Sequence, residues 1–453
     1  ISNGNFFYYY FENLRMKTVF LFVDKPTFIG DLLKTRYLPY LASKFKVIVF
    51  TNHATEETAP SFGYPKNPNI SYIHWRLKNQ KLLDIMKFLR FSCTREFDYL
   101  TTIQHFRNLK NRDWNNTLVR VLSAPVGFLV TSRLLYRIEK FLTRGSSDFL
   151  EYVRKYNPVL TLTSTPGLNN FEAEAILLAD KIGIPTASID CAWDNLTTRA
   201  TRVRPTKYFL AWHEPMRKEA IEIHKFDSKN VFVSGPIRYD YYVSGDNSEQ
   251  NREKFLANKH LDPKYKTILY TTQKNHFFEE AFIQKLIELR DEGKIPYTNI
   301  LIRVHPLASS KRFQEFSSIN NCYLDRPEKT MADEDLLNLK DSLLYSDLNV
   351  NYSSTISLEA IFFNKPVINY REPTLKGSFG LNHYLPLIEA KAVRLINNNK
   401  EELATAINDY LNNPDKDAEK RQKLAAIYFP FRDGLSYKRN VDLLEKIIEN
   451  KPE

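Results

Sequence analysis

The strongest constraint on the fold is an alternation of short apolar runs with helical patterns, which occurs twice along the chain. Residues 18–23 are continuously apolar and of strand length, as expected for a parallel strand covered on both faces. Similar runs follow at residues 47–50, 70–75, 158–164, 185–189, 208–212 and 231–234, and the pattern restarts at 267–271. The alternation predicts an α/β protein with two Rossmann-like, doubly wound domains that face each other across a cleft.

Domain limits follow from the segments that interrupt this alternation. A polar, turn-rich segment at residues 244–266 predicts the boundary, so that residues 16–250 form the first domain and residues 265–430 the second. We expect the C-terminal helix, within residues 431–453, to pack back on the first domain. Residues 1–15 are left out of the predicted fold.

Long helical patterns at about residues 78–144 predict a helical insertion in the first domain. Its second half combines apolar side chains such as Phe128 and Phe141 with basic ones such as Arg120 and Arg137. Helices that lie in a membrane interface have this composition, which favours peripheral contact with an anionic membrane at the inner face of the plasma membrane. The alternative is a buried helical insertion whose arginines line the edge of the predicted cleft.

Composition and charge restrict the partners. The chain of 453 residues has a formal net charge of +11, which favours anionic partners such as sugar nucleotides or lipid head groups. No zinc-finger spacing or RNA-recognition motif is present, so nucleic acid is not expected. The cysteines, Cys93, Cys191 and Cys322, are odd in number and far apart, which predicts a reducing, cytoplasmic location without a disulfide framework.

A histidine ends one strand of the second domain. The segment Arg303–Pro306 runs from an apolar strand into His305 and then into a proline that a helix would not accept. This places the imidazole at the ligand-binding edge of the sheet, where it could donate a hydrogen bond to a phosphate, with Arg303 adding charge. A solvent-facing histidine in a turn is the equally weighted alternative for the dipeptide alone.

Hydroxyl residues follow the next strand of the same domain. Ser353, Ser354 and Thr355 stand where a helix begins, so their hydroxyls and backbone N–H groups could hold a phosphate. Glu359 follows one turn later and could accept hydrogen bonds from a ribose diol. The alternatives are a simple helix cap and compensation of the helix dipole.

The order of these motifs resembles the donor domain of the two-domain GT-B glycosyltransferases. The His305-Pro306 pair and the Ser353-Ser354 pair are similar to motifs of bacterial sialyltransferases and Kdo transferases, and the CDP-glycerol glycerophosphotransferases are similar in the same segment. The resemblance is clearest over residues 267–372. It implies that Arg303, His305, Pro306, Ser353, Ser354, Thr355 and Glu359 bind the nucleotide.

Two departures keep other families open. The acidic-acidic-glycine motif of those sialyltransferases occurs here only at residues 291–293, in the second domain, where a helix-ending turn explains it. Residues 233–240, together with the His-Pro pair and residues 369–373, also resemble UDP-N-acetylglucosamine 2-epimerases. An epimerase-like enzyme is therefore an alternative.

Two residues of the first domain are candidates for acid-base chemistry. Asp194 lies in a polar, aromatic turn after a strand, where it could activate an acceptor hydroxyl, although an Asx-turn with Asn195 would also explain it. His213, directly after the strand ending at Trp212, is the other candidate. No histidine pair has metal-ligand spacing, so neither a metal nor a cofactor is expected.

Together these features predict a metal-independent glycosyltransferase. Its donor is a nucleotide sugar, with a CMP-sugar such as CMP-Kdo favoured, and its acceptor is a surface polysaccharide or a lipid-linked glycan. A CDP-glycerol-type glycerophosphotransferase is an enzymatic alternative. A peripheral membrane scaffold is the alternative without catalysis.

Overall fold

The computed structural model describes residues 16–110, 118–119, 121–122, 124–244, 251–274, 278–327, 333–372 and 378–449. Within these residues the chain divides into two compact units: the first comprises residues up to Arg238 and those from Leu435 onward, and the second comprises Tyr239–Gly434. Each unit contains one sheet. In the described part of the chain, no helix has both the length and the apolar character needed to span a bilayer.

The first domain is built on a seven-stranded parallel sheet in the order β3-β2-β1-β4-β5-β6-β7. Its strands are β1 (Thr18–Phe22), β2 (Lys46–Thr51), β3 (Ile70–His74), β4 (Pro158–Thr163), β5 (Thr186–Ile189), β6 (Tyr208–Ala211) and β7 (Val231–Val233). Its helices are α1 (Pro26–Leu33), α2 (Tyr37–Lys44), α3 (Gln80–Cys93), α4 (Thr101–Lys110), α5 (Ser132–Leu142), α6 (Ser147–Tyr156), α7 (Asn170–Lys181), α8 (Asn195–Thr198) and α9 (Glu214–Glu222). The strand order reverses between β1 and β4, which is the arrangement of a Rossmann-like fold.

Strand β1 shows why the sheet is covered on both faces. Val19 and Leu21 belong to one buried cluster, which also contains Leu41 of α2. Phe20 and Phe22 belong to a second cluster, which includes Phe171 of α7. Successive side chains of a strand point to opposite faces, so the continuous apolar run requires helices on both sides.

The helical insertion is joined to the first domain by a buried ion pair network. Glu139 of α5 accepts hydrogen bonds from Arg90 of α3 at 3.0 Å and from Arg204 at 2.6 Å. Burial alone would raise the pKa of Glu139, but the two guanidinium groups hold it below its usual value. Two arginines of the first domain are therefore structural and not available to a ligand.

The second domain contains a six-stranded parallel sheet in the order β10-β9-β8-β11-β12-β13. Its strands are β8 (Lys266–Thr271), β9 (Thr298–Arg303), β10 (Cys322–Asp325), β11 (Leu348–Asn351), β12 (Val367–Arg371) and β13 (Arg394–Asn397). Its helices are α10 (Asp240–Ser244), α11 (Arg252–Ala257), α12 (Glu279–Asp291), α13 (Asp333–Tyr345), α14 (Ile356–Phe362), α15 (Leu385–Glu389), α16 (Lys400–Asn412) and α17 (Ala418–Tyr428). Short 3-10 helices lie at Ala59–Phe62, Ala124–Val126, Ala200–Arg202, Ser228–Asn230, Ile237–Tyr239, Ser310–Ser318 and Ser378–Gly380. The prediction of two Rossmann-like α/β domains is confirmed.

The last helix, α18 (Ser436–Ile448), belongs to the first domain although it follows the second in sequence. Val441, Leu444 and Ile447 are buried in the same cluster as Leu41. The hydroxyl of Tyr37 also donates a hydrogen bond to Asn440 Oδ1 at 3.0 Å.

The boundary between the two units lies earlier in the sequence than the polar segment 244–266 predicted. The division falls between Arg238 and Tyr239. The ring of Tyr239 packs edge-on against Phe429, with 5.2 Å between centroids, and Tyr242 packs against Phe362 at 5.5 Å. These aromatic contacts assign the segment to the second domain, and no local polarity marks the point where it begins. Residues 245–250 of the predicted boundary lie outside the described residues.

Candidate functional site

His305 lies just beyond β9 and is fixed by two backbone hydrogen bonds. Its N–H donates to Thr272 Oγ1 at 2.9 Å, in the loop that follows the neighbouring strand β8, and its Nδ1 accepts from the N–H of Leu307 at 3.1 Å. Burial and then the charge of Lys274 lower the pKa of His305, which favours the neutral imidazole. Since Nδ1 is an acceptor, the proton is on Nε2. The ring therefore presents an N–H donor of the kind a phosphate oxygen accepts.

Arg303 does not fit the role predicted for it. Strands β9 and β10 are paired so that Arg303 lies beside Asp325, and the two buried side chains form an ion pair. Arg303 Nη2 also donates to the carbonyl of Asp335 at 3.2 Å. The guanidinium is therefore committed to the interior. Pro306 starts the turn in which the N–H of Ala308 donates to the carbonyl of His305 at 2.8 Å, so it shapes the loop.

The Ser353-Ser354 loop is held by one buried side chain, Asn351. Its Oδ1 accepts from the N–H of Ser353 at 3.1 Å and from the N–H of Ser354 at 2.9 Å. Ser353 adopts a φ of 118°, a region that favours glycine and that is populated only when surrounding contacts impose it. Asn351 accepts from both N–H groups in this structure, so the two hydroxyl groups are the donors left for a phosphate, and the role of Ser353 and Ser354 in nucleotide binding stays a prediction.

A buried polar network holds Asn351 itself. Its Nδ2 donates to Asn349 Oδ1 at 2.7 Å and to Ser357 Oγ at 3.0 Å. Asn369 Nδ2 donates to Asn351 Oδ1 at 3.0 Å, and the hydroxyl of Tyr384 donates to Asn369 Oδ1 at 2.8 Å. All five side chains are at most 1% exposed. Such a satisfied interior network fixes one conformation of the loop.

The hydrogen bonding of Thr355 and Glu359 also differs from the prediction. Thr355 occupies the N-cap position of α14, but its side chain makes no capping hydrogen bond. Glu359 is buried, and its carboxylate accepts from the hydroxyl of Tyr242 at 2.5 Å and from that of Tyr239 at 3.4 Å. This carboxylate anchors the tyrosine segment that begins the second domain, and its place at a ribose diol stays a prediction.

His305 and the serine loop lie along one edge of the second sheet. Strand β8 lies between β9, which is followed by His305, and β11, which is followed by the serine loop. The sequence prediction missed two residues beside β8. Lys274 is exposed and its charge acts on His305. Glu279 is fully buried, accepts from the N–H of Gln273 at 2.7 Å, and has its pKa raised to about 8 by burial. The polar residues 272–274, directly after β8, were the signal for Lys274.

The two acid-base candidates of the first domain differ in their surroundings. Asp194 is half-buried at the N-terminus of α8, and its carboxylate does not cap that helix. His213 is 2% exposed, and its Nδ1 accepts from the N–H of Met216 at 3.1 Å, capping α9. Burial lowers the pKa of His213 to about 3. His213 is therefore neutral near pH 7 and caps a helix, and its role in acid-base chemistry stays a prediction.

The sequence prediction missed three further carboxyl groups of the first domain, of which Asp190 and Glu172 are buried and Glu219 is half-buried. Burial raises the pKa of Asp190 to about 8, opposed by hydrogen bonds from Asn195 and Ala192. Burial likewise raises the pKa of Glu172 to about 7 and that of Glu219 to about 8. Asp190 directly follows β5, and Glu172 lies at the start of α7, positions at which the carboxyl edge of a parallel sheet binds ligands.

No group of three or more histidine, cysteine, aspartate or glutamate side chains suited to a metal occurs in the part of the chain that the structure describes. A metal-independent reaction stays a prediction.

The fold is shared with enzymes that act on nucleotide-linked substrates. The wall teichoic acid polymerase TagF has a TM-score of 0.53 at 13% identity, covering 96% of this chain and 90% of that chain. S. aureus MnaA in its UDP co-structure has a TM-score of 0.55 at 14% identity, covering 96% and 97%. The UDP-GlcNAc 2-epimerase from Neisseria meningitidis, bound to UDP-GlcNAc, has a TM-score of 0.53 at 16% identity, covering 95% and 100%. At such identities the likeness shows the two-domain GT-B fold alone.

The sequence comparison is more specific. A family model, CDP-Glycerol:Poly(glycerophosphate) glycerophosphotransferase, matches residues 179–446, which is more than half of the chain. The chain belongs to this family and is therefore a transferase. No curated protein matches it. The preference for CMP-Kdo as donor finds no support in these comparisons, whereas the CDP-glycerol type, expected as an alternative, is the family that matches.

Replacement of Asn351 by alanine should destabilise the second domain. A buried group that loses its hydrogen-bond partner costs about 1–3 kcal/mol, and this change leaves the N–H groups of Ser353 and Ser354 without an acceptor. We expect the free energy of unfolding, measured by urea denaturation, to fall by at least about 2 kcal/mol. The control is Asn408→Ala, which removes an exposed hydrogen bond of 2.9 Å to the carbonyl of Lys294 and should cost less than about 1 kcal/mol. Equal stability of the two variants would contradict the role given to Asn351.

Proposed function

We propose that the enzyme transfers glycerol phosphate from CDP-glycerol to the hydroxyl of a glycerol phosphate polymer or a related surface glycan. The acceptor oxygen attacks the phosphorus that carries glycerol, the bond from this phosphorus to the oxygen of CMP breaks, and CMP leaves with the negative charge. His305 carries the proposal, because its Nε2–H is held in place by the Nδ1 hydrogen bond and can stabilise that charge. The family match, which spans the second domain, supports the choice of donor.

Asp194 is the proposed base that takes the proton of the acceptor hydroxyl. Its neighbours Asp190 and Glu219 are less suited, because burial keeps both protonated near neutral pH. The carboxylate of Asp194 is half-buried and makes no helix-capping bond. A base needs such an available carboxylate within reach of a hydroxyl.

His305→Ala should weaken donor binding. A hydrogen bond to a charged group contributes about 1.5–3 kcal/mol, which is about a tenfold or greater change in affinity. We expect CDP-glycerol to raise the melting temperature of the wild type more than CMP-Kdo or UDP-GlcNAc does, and this protection to be largely lost in the variant. The control is His260→Asn, since His260 is exposed in the same domain and asparagine tolerates its φ of 54°. Stronger protection by UDP-GlcNAc or CMP-Kdo than by CDP-glycerol would reject the proposed donor.

Asp194→Asn should leave donor affinity unchanged and lower kcat by about a hundredfold or more, the usual contribution of a general base. CMP release measures turnover, and the thermal shift with CDP-glycerol measures binding. Glu214→Gln is the matched control, because Glu214 is an exposed carboxylate at the start of α9, paired with Arg217 at 3.0 Å. Normal turnover of Asp194→Asn would show that another group takes the proton of the acceptor hydroxyl.

We also propose that the helical insertion binds the surface of an anionic membrane, where a lipid-linked acceptor would be found. Phe128 and Phe141 are each 81% exposed and Leu129 is 74% exposed. On α5 the exposed residues Arg133 and Arg137 lie one turn apart, beside further exposed apolar side chains. Lys140 is not available for lipid, because it pairs with Asp180 at 2.8 Å. Arg120 lies outside the described residues. A cytoplasmic location stays a prediction.

The triple variant Phe128→Ser, Leu129→Ser, Phe141→Ser should lose binding to phosphatidylglycerol vesicles. Full burial of one such side chain contributes about 1.5–3 kcal/mol, so partial insertion of three should account for at least a tenfold change in the bound fraction at low salt. Co-sedimentation measures it, and Ile427→Ser, which changes an exposed apolar side chain of the second domain, is the control. A wild-type protein that stays in the supernatant at low salt would refute membrane contact.

A further inference from the structure

Three half-buried cations gather at the carboxyl edge of the first sheet. Lys25 follows β1, while Arg199 and Arg202 follow α8. Among the described residues, none of the three has a carboxylate within 4.0 Å. The Lys25 ammonium has an aromatic contact, 5.0 Å from the ring centroid of Phe28. Cations in such surroundings are normally paired with a carboxylate, so this cluster needs an explanation.

The chain path brings the three cations together. The N–H of Arg204 donates to the carbonyl of Pro166 at 2.8 Å, and Arg204 Nη1 donates to the carbonyl of Gly167 at 2.7 Å. These bonds fasten the segment that carries Arg199 and Arg202 to the loop after β4, and β4 is the neighbour of β1 in the sheet. Burial and then the charge of Arg199 lower the pKa of Lys25 to about 8, with a smaller effect of Arg202, while Glu172 and Asp190 act in the opposite direction. At neutral pH all three groups carry positive charge.

The nearby carboxyl groups compensate this charge only in part, because Glu172, Asp190 and Asp24 act on Lys25 from a distance and do not form an ion pair with it. Glu172 accepts hydrogen bonds from Ser164, Thr165 and Asn169, and burial raises its pKa to about 7. Asp190 accepts at Oδ1 from Asn195 Nδ2 at 2.6 Å, and burial raises its pKa to about 8. Asp190 is therefore mostly protonated at neutral pH.

Asp190 adds a second observation that is independent of the cations. Its side chain is fully buried, and Oδ2 has no hydrogen-bond partner among the described residues. Buried polar atoms in native proteins are nearly always paired, so an orphaned one points to a group that binds there. A protonated carboxyl group is a donor, and it would suit an oxygen of an anionic ligand.

We propose that Lys25, Arg199 and Arg202 form an anion site in the first domain, which binds a phosphate group of the acceptor. The site is distinct from the donor site, because all of its residues belong to the first domain. Its assignment to the acceptor rests on the proposed function, in which the donor is bound by the second domain. A growing glycerol phosphate chain carries one negative charge per unit, and guanidinium groups bind phosphate oxygens well.

The site can be tested on the whole protein without turnover. Isothermal titration calorimetry with sn-glycerol 3-phosphate and a short glycerol phosphate oligomer should show binding, inorganic phosphate should bind more weakly, and uncharged glycerol should not bind. Arg199→Gln and Arg202→Gln should each weaken binding of the phosphate probes about tenfold, as expected for loss of a charge-assisted hydrogen bond. Arg199→Lys should keep part of the affinity. Arg217→Gln is the control, since Arg217 is a half-buried arginine already paired with Glu214 at 3.0 Å.

Thermal unfolding without ligand separates a binding role from a structural one. Removal of one cation from a repelling cluster should leave the Tm of Arg199→Gln equal to that of the wild type or higher. A lower Tm together with unchanged affinity would overturn the proposal, and so would an equal loss of affinity in Arg217→Gln.

Donor binding separates this proposal from the proposed function. We expect CDP-glycerol to protect Arg199→Gln as well as it protects the wild type. Loss of that protection in Arg199→Gln would assign the cations to the donor and overturn the acceptor site. If CDP-glycerol fails to protect even the wild type while glycerol phosphate still binds through Arg199, the proposed function fails and the anion site stands.

Discussion

The functional edges of both domains depend on how the loops after parallel strands are held. A parallel sheet brings all its carboxyl ends to one edge, where the chain leaves the ladder of backbone hydrogen bonds. In the second domain a single side-chain oxygen, Asn351 Oδ1, accepts hydrogen bonds from the N–H groups of Ser353 and Ser354. The buried amides and hydroxyls behind it fix that oxygen, so the serine side chains have one orientation. The loop offers hydroxyl groups to a ligand, while its backbone is already satisfied.

Burial shapes the electrostatics of the two domains in a similar way. In each one, carboxyl groups at the sheet edge are so deeply buried that they are neutral or only partly ionised near pH 7, as Glu279 is in the second domain and Asp190 in the first. Lysines lie in the same regions, Lys274 and Lys25. A carboxylate on the surface would cancel these cations, whereas a buried and protonated one leaves their charge available to a phosphate.

The sequence was sufficient to predict what is local and periodic. Continuous apolar runs identified the two sheets. His305, which follows a strand, could be placed at the carboxyl edge of its sheet because all strands of that sheet are parallel. The partners of Arg303 and Glu359 could not be predicted. Arg303 meets Asp325 through strand pairing, and Glu359 meets Tyr242 through a segment 117 residues earlier. Charge pattern along the chain does not encode such contacts.

The fold leaves the choice of substrate to side chains. A polymerase and an epimerase align with nearly the whole chain at 13% and 16% identity, although they act on different molecules. What separates such enzymes is the hydrogen bonding and charge at the sheet edges. In the second domain the neutral imidazole of His305, with its proton on Nε2, lies at the carboxyl edge of the sheet. In the first domain that edge carries three cations that have no carboxylate within 4.0 Å among the described residues. Both edges present hydrogen-bond donors that phosphate oxygens can accept from.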